Sequence, residues 1–218
     1  MKRRTLDVMF SVGGLALAGL LLIMGLVLNS NANFAKSYVR DQLEEQKISF
    51  KPAASLTAQE KQQACIVQYA GQAVTTGKQA ECYANHFIGL HLGSIAGGKT
   101  YAELGDVQTA LKAQIADAQK NNAPNLADLQ KQLTDITASR ETVFKGETLR
   151  GLLLTSFGFS VFGVKGGQVA TVAFVLAGLL FLLTLAGFVH AVRTPRTTGF
   201  AIPELTPANG TKKVAVKV

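Results

Sequence analysis

Gly93 to Thr100, GSIAGGKT, match G-x-x-x-x-G-K-[ST], the pattern of a loop whose backbone N–H groups cradle nucleotide phosphates. That chemistry needs a buried strand before the loop and a helix after it, so that the amides converge on the anion. The preceding residues, ANHFIGLHL, read as helix, and no acidic residue follows an apolar strand to help hold magnesium. The expectation is therefore a structural turn and no nucleotide. Gly97 and Gly98 stop one helix, Lys99 follows, and Thr100 with Glu103 forms a T-x-x-E capping box that opens the next.

The chain's two cysteines, Cys65 and Cys82, suit a structural disulfide if they lie in an oxidising compartment, and closing that loop stabilises a domain by about 3 kcal/mol. The alternatives are a redox pair, disfavoured because catalytic dithiols favour C-x-x-C spacing, and a zinc site completed by His86 and His91. Those histidines are five apart, which on a helix turns them about 140° from each other, whereas paired helical ligands sit four apart. An iron site of both histidines with Glu81 or Glu103 would need a fold that nothing else supports. The expected arrangement has one histidine hydrogen-bonded at a packing face and the other facing water. Glu44 and Glu45 are adjacent and diverge on a helix, and no G-x-S-x-G occurs. No catalytic residue, metal or cofactor is expected, and the chain does not read as an enzyme.

The elements that position these residues begin with two apolar runs. Among 218 residues, 48% are hydrophobic and only 17% charged, more apolar than a soluble domain of this size requires. Val8 to Leu28 is 21 residues without a charge, and Gly166 to Val192 another 27, each long enough to cross a bilayer core of roughly 30 Å. A cleavable signal is the rival reading of the first, but its run exceeds the usual length and Ala32 and Ala35 have the wrong spacing for cleavage. Gly13, Gly14, Ala16, Ala18 and Gly19, with Ala177 and Gly178, suit close packing of the two spans on each other or contacts in an oligomer.

The formal charge of +8 is concentrated at the ends: Lys2, Arg3 and Arg4 precede the first run, and five basic residues oppose Glu204 after the second. Basic residues flanking spans mark the cytoplasmic side, so both termini are expected inside the plasma membrane and residues 29–165 outside. Topology then explains most of the positive charge, and no nucleic-acid partner is implied. Neither span carries an internal Asp, Glu, Lys or Arg, which argues against an ion or proton path through this chain alone.

The expected fold class is an all-α membrane protein, with two transmembrane helices flanking an extracytoplasmic helical domain. Its parts are an N-terminus at 1–7, spans at 8–28 and 166–192, the outer domain at 29–165 and a basic flexible tail at 193–218. The first span is expected to continue as helix until Pro52, a second helix to run from Ser55 or Thr57 to Gly77, and a third to Gly97. Val107, Leu111, Ile115 and Ala118, then Leu126, Leu129, Leu133 and Ile136, predict an antiparallel helical hairpin over about 104–145. A shorter apolar helix at about 149–163 is expected to pack under the domain or lie on the membrane, hinged at Gly163, Gly166 and Gly167.

DQLEEQKISF, GKQAECYANHFIGLHL, GGKTYAEL and GETLRGLLLTSFGF, in this order between two apolar runs, resemble a family of two-pass membrane proteins of unknown function. The family is found chiefly in actinobacteria and is often labelled an aromatic ring-opening dioxygenase subunit. GGKTYAEL is the most specific piece, and Asp106 to Arg140 match least. The resemblance implies topology and location and carries over no active-site residue.

The function expected is that of an accessory or scaffolding component of a membrane or envelope complex. Its partners would be membrane lipids and other membrane proteins or further copies of itself. The residues singled out are structural: Cys65 with Cys82, the turn from Gly97 to Tyr101, and the junction at Arg150. The alternative is an outer small-molecule or lipid-binding domain, with a pocket lined by Phe87, Leu90, Leu153 and Phe157.

Overall fold

The structure, a computed structural model, describes residues 3–195. Met1, Lys2 and the expected basic tail from residue 196 onward lie outside the described residues. The architecture is all-helical: α1 (Arg3–Glu45), α2 (Ala64–Gln68), α3 (Gly77–Cys82), α4 (Gly89–Ser94), α5 (Tyr101–Lys120) and α6 (Leu126–Arg193). A π-helical turn at Tyr83–Ile88 joins α3 to α4, and short 3-10 turns occupy Ala53–Ser55, Glu60–Gln62 and Ile95–Gly98. No strand forms among the described residues; a lone antiparallel bridge joins Ser49 and Ala73.

Both α1 and α6 contain a stretch long and apolar enough to cross a membrane, and only 17% of each stretch is buried. A core helix of a soluble protein hides such a surface instead. The chain divides into two compact units, Met1–Gly25 with Val172–Val218, and Leu26–Thr171.

In the first unit the two helices pack through small residues. Ser11 and Ala18 are buried seven residues apart on α1, and Ala177, Thr184 and Ala191 at the same interval on α6. A seven-residue repeat is the signature of a left-handed pair, and small side chains let the backbones approach. A Cβ added at Gly14 would stand 2.6 Å from Thr184 Cγ2, and one at Gly25 2.7 Å from Phe174 Cε1. Gly13, Gly19 and Gly178, by contrast, have open space beside them. His190 Nδ1 lies 3.0 Å from Asp7 Oδ2.

The second unit is built on a core that includes Leu43, Phe50, Ile66, Val74, Cys82, Leu104, Val143 and Leu153. The helical hairpin forms as expected from its apolar stripes, with Leu111, Ala118 and Leu129 buried between its arms. Arg140 fastens its base: Nε donates to the Tyr101 carbonyl at 3.2 Å, Nη1 to Gln108 Oε1 at 2.9 Å, and the guanidinium stacks 4.0 Å from the Tyr101 ring.

Four expectations are corrected here. The hinge at Gly163, Gly166 and Gly167 does not occur, because α6 runs unbroken for 68 residues. Glycine weakens a helix by only about 1 kcal/mol and does not break it. Gly163 instead admits α1, because a Cβ on it would stand 3.0 Å from Ala35 Cβ, whereas Cβ atoms on Gly166 and Gly167 would make ordinary contact with Ala32 Cβ at 3.8 and 3.7 Å. The separate helix at 149–163 is accordingly a stretch of α6 that buries Leu153 but leaves Leu152 at 63% and Phe162 at 77% exposure.

Nor does α1 reach Pro52. It ends at Glu45, after which Lys47 adopts φ 52° and the chain extends through Ile48 to Phe50. The expected second helix, finally, is broken into the 3-10 turn at Glu60, an extended Gln63 and the five-residue α2, with Gly71 at φ 74°.

Candidate functional site

A fully buried carboxylate, Glu60, centres a polar arrangement in the second unit, and the local turns explain its position. Phe50 N donates to Gln72 O and Val74 N to Ile48 O, each at 2.9 Å. The extended segment so held delivers Lys51 to the 3-10 turn at Glu60–Gln62. Thr57 and Glu60 close a reciprocal box, Thr57 N donating to Glu60 Oε2 at 2.8 Å and Glu60 N to Thr57 Oγ1 at 3.2 Å. Lys51 Nζ donates to Glu60 Oε1 at 2.8 Å, and His91 Nε2 lies 3.5 Å from the same oxygen.

Glu60 is fully buried. Its carboxyl is held down to about 2, chiefly by the Lys51 hydrogen bond and then by the Thr57 backbone N–H, against the opposing effect of burial. Lys51 also stands 5.1 Å over the Phe87 ring, which lies 4.5 Å from the His91 ring and 4.7 Å from that of Tyr83. The Phe87 carbonyl is 2.6 Å from His91 Nδ1. The arrangement is an ionised carboxylate saturated by its own chain.

The histidines do not converge. His86 Nδ1 meets Gln63 Oε1 at 2.8 Å, whereas His91 faces Glu60 and Phe87. Among the described residues no group of three or more His, Cys, Asp and Glu side chains is placed to hold a metal ion. The Cys65 and Cys82 sulphurs are at disulfide distance and tie α2 to α3.

GSIAGGKT lies between helices, with no strand before it. Gly93 belongs to α4, Gly97 and Gly98 take φ 69° and 75°, Lys99 is extended, and Thr100 caps α5. Thr100 N donates to Glu103 Oε2 at 2.7 Å and Glu103 N to Thr100 Oγ1 at 3.3 Å, which closes the expected capping box. The Thr100 N–H, followed by its hydroxyl, lowers the Glu103 carboxyl below its usual value.

Of the four residues of the expected pocket, Leu153 and Phe87 share one hydrophobic core. Leu153 is core, Phe87 belongs to the aromatic stack, Phe157 lies under Lys78 at 5.3 Å, and Leu90 is half-buried. A groove of about 350 Å³ includes Leu153 in its wall, with Tyr38, Leu43, Ile48, Leu152 and Phe159 among others. Arg150 Nη2 donates to Asn85 Oδ1 at 3.2 Å, while its buried Nε has no hydrogen-bond partner among the described residues.

Sequence reasoning named Thr57 only as one of two possible starts of the second helix, and missed Glu60 and Lys51. The signal was present, because T-A-Q-E at 57–60 is the same T-x-x-E pattern that was read at Thr100, and T-G-K-Q at 76–79 closes a third box. Comparison with family models, with curated proteins and with solved structures gives no match for this chain.

Proposed function

We propose that the chain is an integral plasma-membrane protein that acts by contact, as an accessory or scaffolding component of a membrane or envelope complex. In this reading α1 and α6 each span the bilayer, both termini are cytoplasmic and residues 29–165 lie outside, as in the two-pass family that the sequence resembles. The partners are membrane lipids and other membrane proteins or further copies of the chain, without nucleotide or nucleic acid.

The observation that carries the reading is how the outer unit spends its side chains. Glu60, His86, His91 and both cysteines are engaged within the unit, whereas Leu149, Leu152, Phe159 and Phe162 stay exposed along α6. Exposed apolar surface of this kind marks a contact face.

A photo-crosslinking residue at Leu152 or Phe162, in membranes of intact cells, tests it. An adduct of one defined mass at both positions, absent from a control on the hairpin at Lys131, is the expected result. Uniform labelling at all three positions contradicts it. The groove beside Tyr38 and Leu153 supports a second reading, an outer binding domain for a small apolar ligand.

A further inference from the structure

We infer that a cleft in the second unit, walled by Lys36, Arg40 and Lys78, binds the phosphate of an anionic phospholipid headgroup. The inference rests on the two-pass reading above. The cleft has a volume of about 500 Å³ and gathers three cations from two elements, with no carboxylate in its lining. Lys36 and Arg40 are four apart on α1 and so share a face, and Lys78 comes from the first turn of α3. Ser160 and Asn33 add a hydroxyl and an amide at the wall.

Depth identifies the ligand. Lys36 is the first charge on α1 after the uncharged run that begins at Val8, and Lys165 is the last charge before the uncharged run of α6. The cleft therefore opens where apolar helix gives way to polar chain, the level of lipid headgroups. Val164 lines its edge next to that second run, half-exposed, as an acyl chain below a headgroup requires.

Lys78 stands 5.3 Å over the Phe157 ring, and no carboxylate among the described residues holds either Lys36 or Lys78. Arg40 pairs with Asp41 at 2.9 Å and Glu44 at 3.9 Å, but all three side chains are more than half exposed, so solvent screens these pairs and leaves the guanidinium free to turn. Lysine and arginine hold a phosphate by charge-assisted hydrogen bonds, and a cleft converts the attraction into a defined site.

The test uses the full chain in nanodiscs of phosphatidylcholine with phosphatidylglycerol, extracted gently and weighed by native mass spectrometry. Expected is one retained phosphatidylglycerol with roughly tenfold preference over phosphatidylcholine, falling to about twofold or less in Lys36→Gln/Lys78→Gln. Lys112→Gln/Lys131→Gln, both on the exposed hairpin, should leave the preference unchanged. Equal retention of the two lipids, or a preference that survives in the cleft variant, overturns the site. Displacement of the lipid by millimolar inorganic phosphate assigns the cleft to the free anion and overturns the lipid.

Carbonate extraction of cell membranes that carry the full chain separates the two claims. A chain that resists extraction yet shows no anionic preference sinks this site alone, whereas one that carbonate releases sinks the two-pass reading beneath it.

Discussion

Gly163 of α6 and Ala35 of α1 meet so closely that a Cβ on the glycine would lie 3.0 Å from the alanine Cβ and 3.3 Å from the Ala32 carbonyl. Backbone lies on one side of that contact, so the neighbour cannot simply rotate away. Gly163→Leu should therefore lower the stability of the second unit by about 1–3 kcal/mol. Gly19→Ala, on α1 with open space beside it, should be close to neutral. Thermal unfolding in detergent distinguishes the two, and equal effects would show that α1 and α6 do not pack in this way.

Lys51 and Glu60 make a pair whose loss should be asymmetric. Lys51→Met leaves a fully buried carboxylate without its cation and should cost about 3 kcal/mol, whereas Glu60→Gln, which removes the charge, should cost about 2 kcal/mol. The folded-state value of about 2 lies below the ordinary 4.5, so the stabilisation is complete above pH 4.5 and drains away as the pH falls toward 2. Denaturant unfolding of the wild type across that window should show the slope, and Glu60→Gln should flatten it. An unchanged slope would remove Glu60 as its source.

Much of this was legible in the sequence, because local signals are short. The hairpin stripes, the Thr100 cap and the paired cysteines each depend on residues close in the chain or on composition. The expected hinge failed for the opposite reason: Gly163, Gly166 and Gly167 look like a flexible joint until Ala32 and Ala35, more than a hundred residues away, are placed against them. The seven-residue recurrence of small residues in both helices was the available clue. Helix two was broken nearer at hand, since Glu60 turns inward to meet Lys51, nine residues before it, and His91, and does not lie on a continuous helical face.

Removal of the disulfide should be costly and visible. Cys65→Ala/Cys82→Ala should lose about 3 kcal/mol, and reductant should destabilise the wild type by a similar amount while leaving the double variant unaffected. Alkylation mass after non-reducing denaturation checks the bond directly; two free thiols in protein from intact membranes would contradict it.

Thr100 separates a cap from a phosphate loop. Thr100→Ala should lower stability by about 1 kcal/mol through the lost α5 cap, and Lys99→Ala should change it by less than about 0.5 kcal/mol. Adding ATP with magnesium should leave the unfolding temperature of the wild type unchanged. A rise with ATP that disappears in Lys99→Ala would restore the nucleotide reading of GSIAGGKT.

Which side of the membrane the second unit occupies decides the most. A single added cysteine at Lys131, on the exposed hairpin, and another at Lys212, in the tail, can be probed in intact cells with a membrane-impermeant maleimide. Labelling of Lys131→Cys without permeabilisation, and of Lys212→Cys only after it, is the expected result. The reverse pattern would place the disulfide-tied unit in the cytosol and contradict the extracytoplasmic assignment.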